Sequence, residues 1–508
     1  MAGIGFELKR LFSRKGLVAT LRAYGYAGIV TTGPMLLGVL LLVGMILLAY
    51  YGNTIKHNRE LLLSMITYAL LASLTVTSFF TMITTRFTAD MLYSEKKDAI
   101  MTSFYGSLGL MLVIGGIGYG IFLYFAGIPF AYQVLSLLLF LVLVVVWTET
   151  TYLTAIKDYR SILIAFAVSL LIAFATGFLL VTFTEMDNII VLMIAVIIGY
   201  GVLAGWYFCL LYKYFPEGFG TSMNFLRWTE KYPALTWVGA LITFGLFGHL
   251  IIMWTSPLGV QIQGLFYGAP QYDVPALIAF FSILITTVNF VTSVEVRFYP
   301  LYKNYFSLFN NEGNIGDIDT AEVNMIRILR DELSYLGQKQ MFSTIIFIVL
   351  GTILIPKLDI GFTAGMLGMF RVLCVGYALY TIANSMMLIL LYFADNKGAL
   401  WSAALFAVVT NVSTWILKYG NSSYYGFGLV IGGAVFCIAV YIRLNIYLKK
   451  LKYHVLSEQP VFAKSAEGKI TVLCDRLDRR AIIKQRSRRK FYEDNIAKKS
   501  TVDMTTSK

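Results

Sequence analysis

The chain has 508 residues, of which 58% are hydrophobic and only 14% are charged. Its mean hydropathy of +0.72 exceeds what the core of a soluble protein can bury, so composition excludes a soluble enzyme and predicts a polytopic membrane protein. The net charge of +13 would suggest nucleic-acid binding in a soluble protein, but here the basic residues lie in loops and tails, where charge reports membrane topology.

The first segment, residues 1–23, predicts an interfacial helix. In MAGIGFELKRLFSRKG the apolar side chains of Ile4, Leu8 and Leu11 lie at helical spacing, while the basic residues face elsewhere. A cleaved signal peptide is the alternative, but the apolar run that begins near Tyr24 is longer than a signal sequence and has no small-residue cleavage pattern. We therefore expect a cytoplasmic interfacial amphipathic helix.

Apolar segments long enough to cross a bilayer follow along the chain. A window of about 19 residues predicts about twelve transmembrane helices in an all-α protein. The longer connection at 214–232 divides them into two six-helix bundles, residues 24–213 and 233–447. The predicted centres are Leu37, Leu74, Gly115, Leu143, Ile172, Gly199, Phe244, Thr286, Ile348, Tyr380, Ala407 and Ala434.

The short loops on the two sides of the membrane differ in charge. One set carries most of the lysines and arginines, whereas the other offers only Lys56, Arg59, Lys357 and Lys418. By the positive-inside rule, this asymmetry predicts that both termini are cytoplasmic.

Two cytoplasmic elements are predicted in the second half. Residues 318–337 form a helix, with Asp319 as its N-cap and Gly337 as its stop; Asp317 and Asp319 are interpreted as capping residues rather than as a metal pair. The basic tail, residues 448–508, is predicted to be a flexible or surface-bound extension on anionic lipid, with a partner-binding element as the alternative.

Sequence motifs for covalent chemistry are absent. Neither GxxxxGK[ST] nor HExxH occurs, and the four cysteines lack paired spacing, so the sequence predicts no enzyme activity, no cofactor and no metal site. The glycine run GGIGYGIF lies inside a span, where Gly116 and Gly120 predict close helix packing, as do Gly201 and Gly205.

Polar residues within the spans are the transport candidates. Glu149 is predicted to line a wet cavity and to meet substrate or a coupling cation, with a satisfied structural carboxylate as the alternative. Asn289 and Arg371 are further cavity candidates, although helix-to-helix hydrogen bonding is the ordinary role of Asn289, Asn384 and Asn411. Other ionisable groups in or near spans are His249, Glu295 and Arg297.

Two pairs of residues suggest moving parts. Arg86 and Asp90 are spaced i and i+4 at the end of span two, where a surface ion pair is the ordinary interpretation and a gate or partner contact is the alternative. In span one, Pro34 removes a helical hydrogen bond beside Gly33, which predicts either a hinge for alternating access or a static kink.

Three strings carry a family resemblance: MAGIGFELKRL at the N-terminus, AYGYAGIVTTGP in span one and TTRFTADMLYSEK at the end of span two. They resemble the PelG family of the multidrug/oligosaccharidyl-lipid/polysaccharide exporter superfamily, over roughly residues 1–450. The resemblance implies a flippase- or MATE-like fold in the inner (plasma) membrane. The basic tail from about Lys449 departs from the family pattern, so no function carries over to it.

The function that the resemblance implies is export of Pel exopolysaccharide, a polymer rich in N-acetylgalactosamine, by alternating access or through a conduit coupled to synthesis. The implied partners are a PelF-like cytoplasmic glycosyltransferase and PelD-like and PelE-like membrane proteins. One alternative is an ion-coupled flippase of lipid-linked oligosaccharide or a small-molecule antiporter of the same superfamily. Another is a membrane scaffold for the synthase that transports nothing.

Overall fold

A computed structural model describes residues 38–154, 156, 158–215, 222–310, 313–358, 362–457, 468–476 and 479. The predicted interfacial helix at 1–23 and the hinge candidates Gly33 and Pro34 lie outside the described residues.

Six helices form the first bundle. Two of them begin at an aspartate N-cap, because Asp158 accepts a hydrogen bond from the Ser161 N–H and Asp187 accepts one from the Ile189 N–H. Asp158 lies in the charged connection between spans four and five, so a charged residue stands where one helix gives way to the next. The helices are α1 (Gly38–Tyr51), α2 (Lys56–Tyr93), α3 (Asp98–Phe125), α4 (Phe130–Leu153), α5 (Tyr159–Phe183) and α6 (Asn188–Tyr214).

A linker with a short helix leads into the second bundle, which also contains one β-hairpin. The first elements are α7 (Arg227–Lys231) in the linker, α8 (Pro233–Trp254), the antiparallel strands β1 (Val260–Gln263) and β2 (Phe266–Gly268), α9 (Pro270–Phe280), α10 (Leu284–Thr292) and α11 (Tyr299–Asn310). They are followed by α12 (Ile315–Leu354), α13 (Ala364–Tyr392), α14 (Asn396–Leu417), α15 (Phe427–Lys449), α16 (Leu451–Ser457) and α17 (469–476).

The predicted spans correspond to helices of the structure. Among the described residues, 11 helices are long and apolar enough to cross a membrane, and α1 is a shorter apolar helix beside the undescribed residues. The first predicted centre, Leu37, immediately precedes α1, and every other predicted centre falls within one of the 11 helices. The all-α architecture with about twelve spans in two bundles is therefore confirmed.

Each bundle has its own hydrophobic core. The first core is built from α1 to α6 and the linker, together with Leu235 of α8 and Phe266 of β2, and the second from residues of α8 to α16. We call the end of the molecule with the strands the hairpin end, and the opposite end, where Lys96 and Lys97 follow α2, the basic end. The predicted cytoplasmic location of the termini would place the basic end in the cytoplasm.

Helix α12 corrects the predicted helix at 318–337. It starts after Asn314, which makes no side-chain cap bond, and it continues through Gly337 to Leu354 without a break. A glycine inside a helix costs only about 1 kcal/mol, and the next proline, Pro356, lies beyond the end of the helix. The buried Gln340 side chain donates to the Ser282 carbonyl of span eight and accepts from the Thr286 hydroxyl there, and these bonds keep the next turn helical. The 40-residue helix is therefore about 60 Å long.

The glycine predictions also need correction. A Cβ atom at Gly116 would only touch Leu141 at 3.4 Å, and none at Gly120, Gly201 or Gly205 would have a neighbour within 4 Å. Within this glycine run the close contact is at Gly115 instead, where a Cβ would lie 2.9 Å from the Phe140 ring. A glycine motif in a span gives the spacing of small residues but not the face that meets another helix.

Candidate transport pathway

The two bundles meet along a seam between α2 and α8. Gly239 of α8 faces the backbone of α2, where a Cβ atom would lie 2.4 Å from the Ser78 carbonyl oxygen. Phe79 packs edge-on against Trp237, with ring centroids 5.8 Å apart, and against Phe244 at 6.4 Å. A small residue at the contact lets two membrane helices approach closely, so this seam is a packed joint between the bundles.

Helix α2 presents many hydroxyl groups, and they are bonded within the helix itself. Thr77, Thr81, Thr84 and Thr88 each donate to the carbonyl four residues earlier, at 2.7–3.0 Å. This bonding satisfies the hydroxyls inside the membrane, where an unpaired polar group is costly. The helix can therefore carry polar side chains through the bilayer next to the seam.

An aromatic cluster joins the bundles at the hairpin end. Tyr68 of the first bundle stacks on Trp254 of the second, with centroids 4.7 Å apart, and packs against Phe266 at 4.8 Å. Its hydroxyl donates to the Tyr267 carbonyl at 3.1 Å and accepts from the Tyr267 N–H at 3.0 Å. Phe122 completes the cluster from α3 at 5.6 Å. These four rings, the hairpin-end cluster, hold this end of the seam closed.

The β-turn docks on the first bundle beside that cluster. The Leu265 N–H donates to the Ala126 carbonyl at 3.0 Å. Gly264 has a φ of +56° and sits so close to α3 that a Cβ would lie 1.8 Å from the Ala126 oxygen. Only glycine fits this approach, so the turn is shaped for its contact with the first bundle.

Span eight, which is built from α9 and α10, and the segment that follows it carry a stripe of polar residues along one face. Their spacings of four, three, four and four residues place them on one side of a helix. The members, which we call the polar column, are Ser282, Thr286, Asn289, Ser293 and Arg297. The span is also broken, with a 3₁₀ turn at Phe281–Ile283 and a π-helical segment at Ser293–Phe298. Such breaks are frequent at functional sites and in transporter spans.

Helix α12 supplies hydrogen-bond partners for Thr286 and Asn289 of the column. Thr286 donates to the amide oxygen of Gln340, whose own N–H₂ donates to Thr344 at 2.9 Å. Lys339 donates to the Asn289 oxygen at 3.2 Å. Thr286 and Gln340 are fully buried, and these bonds satisfy amide and hydroxyl groups that the bilayer would otherwise penalise.

The carboxylate of Glu332 binds the end of the column formed by Ser293 and Arg297. Glu332 of α12 accepts a hydrogen bond from the Ser293 hydroxyl at 2.7 Å and one from the Arg297 guanidinium at 2.5 Å. The Glu332 side chain is 10% exposed, while that of Arg297 is 63% exposed. The π-helical segment thus carries near its end a guanidinium that is paired with a buried carboxylate and is largely exposed.

A groove opens between α10 and α12 beside the column. The groove has a volume of about 640 Å³. A separate cavity of about 580 Å³ lies between α12, α13 and α15. Asn289, Lys339 and Ser343 are the polar members of the groove, and the rest of its wall is apolar: Ile285, Val288, Phe342, Ile346, Phe347 and Leu350. The groove combines amide and ammonium donors with aromatic and aliphatic surface.

Residues 1–456 match the family model described as "PelG: Putative exopolysaccharide Exporter (EPS-E)". The chain belongs to the PelG family. No curated protein sequence is significantly similar to it. Its family and fold are those of a multi-pass transporter of the inner membrane rather than those of an enzyme.

Solved structures similar to this PelG-family chain include MATE transporters. One is the outward-facing conformation of a multidrug resistance MATE family transporter of the MOP superfamily, 13% identical, with a TM-score of 0.53 over 84% of this chain and 96% of that one. Another is a MATE in the bent conformation, 14% identical, with a TM-score of 0.57 over 88% and 98%. A third is a MOP superfamily transporter from Pyrococcus furiosus with a reversed polarity of its binding pocket, 14% identical, with a TM-score of 0.54 over 84% and 96%.

The residues predicted to line the pathway of this PelG-family chain do not gather at one place. Glu149 is 1% exposed within the core of the first bundle, and its Oε2 atom has no hydrogen-bond partner among the described residues. Arg371 is exposed on α13 and donates to Thr352 at 3.1 Å. Of the predicted cavity residues, Asn289 is the one that lines the groove.

The pair at the end of α2 is more than a surface ion pair. Arg86 lies 3.1 Å from Asp90, and the guanidinium also sits over the Tyr232 ring at 5.2 Å. Asp90 accepts a hydrogen bond from the indole N–H of Trp228 at 2.8 Å. The pair therefore binds the linker helix to the basic end of the first bundle.

A second buried polar group lies near the hairpin end of the PelG-family chain. His249 is fully buried, its Nδ1 atom is 2.9 Å from the Tyr272 hydroxyl, and its Nε2 atom has no partner among the described residues. Within the part of the chain that the structure describes, no three His, Cys, Asp or Glu side chains are placed to hold a metal ion.

Sequence reasoning missed most of the polar column and its partners. Asn289 was predicted as a cavity residue, but Thr286, Glu332 and Gln340 were not singled out. The column could have been recognised from the spacing of its polar residues at intervals of three and four, which predicts a polar stripe along one face of span eight. The signal for Glu332 and Gln340 was their separation of eight residues, which places them on one face of α12.

Proposed function

We propose that the chain exports a Pel-type exopolysaccharide, rich in N-acetylgalactosamine, across the inner membrane. Family membership supports the exporter class, and the joint between the bundles supports a moving pathway. The observation that carries the proposal is the hairpin-end cluster, because Tyr68 holds the two bundles together at one end through contacts that rigid-body rocking would break. A conduit held open during synthesis is the second form of the same mechanism.

The chemistry of the pathway suits a polymer of near-neutral sugars. Sugars are bound by hydrogen bonds to their hydroxyls and by contact of their C–H faces with aromatic rings. The groove beside span eight offers the Asn289 amide, the Lys339 ammonium and the Phe342 ring. With the predicted orientation, the polymer enters from the basic end, supplied by a PelF-like glycosyltransferase, and PelD-like and PelE-like membrane proteins complete the assembly.

Reversible closure of the hairpin end tests the proposal. Cysteines at Tyr68 and Phe266, in a chain without its native cysteines, would be joined by a short bifunctional thiol reagent with a reducible bond. Stained polymer on the cell surface should fall to the level of a gene deletion and return on reduction. The matched control joins Tyr119→Cys to Ser136→Cys, which lie within the first bundle. Undiminished export from the Tyr68–Phe266 cross-linked protein would reject transport and leave the scaffold function.

Ion-coupled transport of a lipid-linked oligosaccharide or of a small molecule is the second candidate. The observation that favours it is Glu149, whose Oε2 atom is buried without a hydrogen-bond partner among the described residues. A carboxyl group in such a position can exchange a proton or a cation. Proton- or sodium-driven dye efflux from vesicles, lost in Glu149→Gln, would support this function. Efflux that is absent from the wild-type protein would reject it.

A further inference from the structure

The linker between the bundles belongs structurally to the first bundle. Phe225 is fully buried in the first core. Trp228 packs edge-on against Phe87 of α2, with centroids 4.8 Å apart, while its indole N–H donates to Asp90. The surface that the linker presents at the basic end therefore moves with the first bundle.

Part of the C-terminal tail docks on that surface as α17. Glu230 of α7 accepts hydrogen bonds from the Ile470 N–H at 2.7 Å, from the Thr471 N–H at 2.9 Å and from the Thr471 hydroxyl at 2.7 Å. These backbone N–H groups are in the first turn of α17, where a helix has no partners of its own, so Glu230 caps α17 from another element. Gly468 permits this approach, because a Cβ there would lie 2.2 Å from the Glu230 carboxylate.

Two further contacts fix the other side of α17. Arg227 donates to Asp475 at 2.6 Å. Cys474 is fully buried, and its thiol donates to the Met223 carbonyl at 3.4 Å. The docking surface thus recognises a helix N-terminus, an acidic side chain and a small buried side chain at defined spacing.

The segment before α17 is anchored in the second bundle. Leu451 of α16 is buried in the second core. Lys452 forms ion pairs with Asp319 and Glu322 of α12, the latter at 3.5 Å. The tail is therefore bound to the second bundle up to Ser457 and to the first bundle from Gly468 onward.

We propose that α17 is a strap that links the two bundles at the basic end and that its docking on the linker limits their separation there. The ten residues between Ser457 and Gly468 allow a reach of at most about 40 Å, so the strap sets an upper limit to opening while it is docked. The family match covers residues 1–456, so α17 lies outside the matched residues. The strap would act at the basic end whatever the substrate is.

The buried Cys474 thiol provides a direct measure of docking. In a chain with Cys209, Cys374 and Cys437 changed to serine, Cys474 should react slowly with a maleimide while α17 is docked. Glu230→Gln and Gly468→Ala should each raise the labelling rate at least tenfold, whereas Glu185→Gln, a change at an exposed acidic residue elsewhere, should not. Equal rates in all four proteins would overturn the docking.

Charge reversal separates loss of docking from loss of folding. Arg227→Asp should speed the labelling of Cys474, and adding Asp475→Arg should slow it again, because the pair is restored in the opposite sense. A variant that is simply misfolded would not be rescued in this way. Failure of the double variant to slow labelling below the single variant would count against a specific docked pair.

A distance measurement tests the strap itself. Fluorophores attached through non-natural amino acids at Tyr212 of α6 and Ile446 of α15 report the separation of the bundles at the basic end. Gly468→Ala should broaden the distance distribution toward longer values. If Cys474 labelling rises while the distances stay unchanged, α17 docks without restraining the bundles, and the strap is rejected whether or not polymer is exported.

Discussion

Replacing Tyr68 by alanine should open the hairpin end. Between the bundles its ring contacts Trp254 and Phe266, and each aromatic pair contributes about 0.5–1.5 kcal/mol. Its two hydrogen bonds with the Tyr267 backbone contribute about 0.5–1.5 kcal/mol each. The contact with Phe122 lies within the first bundle and does not count. The sum of about 2–6 kcal/mol shifts the ratio of open to closed forms by roughly 30-fold to 2 × 10⁴-fold.

A conservative variant separates the contribution of the ring contacts of Tyr68 from that of its hydrogen bonds. Tyr68→Phe keeps the ring contacts and loses both hydrogen bonds, so it should shift the ratio by about 1–3 kcal/mol, or roughly 5-fold to 150-fold. Tyr119→Phe is the matched control, because its hydroxyl bonds Ser136 within the first bundle at 2.9 Å. That control should leave the hairpin end closed.

The assay measures access to the seam from the hairpin side. A cysteine at Phe79, which packs in the seam, is labelled by an impermeant thiol reagent added to that side of oriented vesicles. The labelling rate should increase in the order wild type, Tyr68→Phe, Tyr68→Ala. Equal rates in the wild type and in Tyr68→Ala would refute the conclusion that these rings hold the bundles together.

Three further outcomes are expected. Gly239→Ala should overpack the seam by about 1–3 kcal/mol, which thermal unfolding in detergent would detect, whereas Gly201→Ala, with no atom within 4 Å, should be neutral. Glu332→Ala should destabilise the protein by about 1–3 kcal/mol, because Arg297 loses its carboxylate partner; an unchanged midpoint would contradict this. Hydrogen bonds from the backbone amides of Ile470 and Thr471 hold the pKa of Glu230 below its ordinary value of 4.5. Docking of α17 should therefore be intact above pH 4.5 and weaken as the pH falls through the lowered pKa. Hydrogen exchange would detect this as lost protection of these amides.

The helices could be predicted from the sequence because the cost of burying charge in a bilayer is read directly from hydropathy. Asp158, a charged residue between two apolar runs, accordingly lies between two helices and caps the second. The end of α12 could not be predicted in the same way. Gly337 is a reasonable local stop, but contacts of Gln340 with span eight, distant in sequence, continue the helix. Where the local sequence signal for a helix end was weak, tertiary contacts determined where the helix ended.

The candidate pathway was only partly predictable for a related reason. Asn289 was recognised as a polar residue within a span, but its partner Lys339 lies 50 residues further along the chain. Glu149 was correctly placed within a span, yet periodicity does not show which face of a helix meets its own bundle and which meets the other. Its burial within the first core is a property of bundle packing, which the sequence of a single helix does not contain.

The two ends of the molecule are held by different kinds of contact. At the hairpin end, Tyr68 combines stacked rings with backbone hydrogen bonds between the bundles. At the basic end, the strap depends on partly exposed polar pairs such as Arg227 and Asp475, whose side chains are 29% and 44% exposed, and an exposed ion pair contributes only about 0–1 kcal/mol. Losing the Arg227–Asp475 pair should therefore cost less than losing the contacts of Tyr68 at the hairpin end.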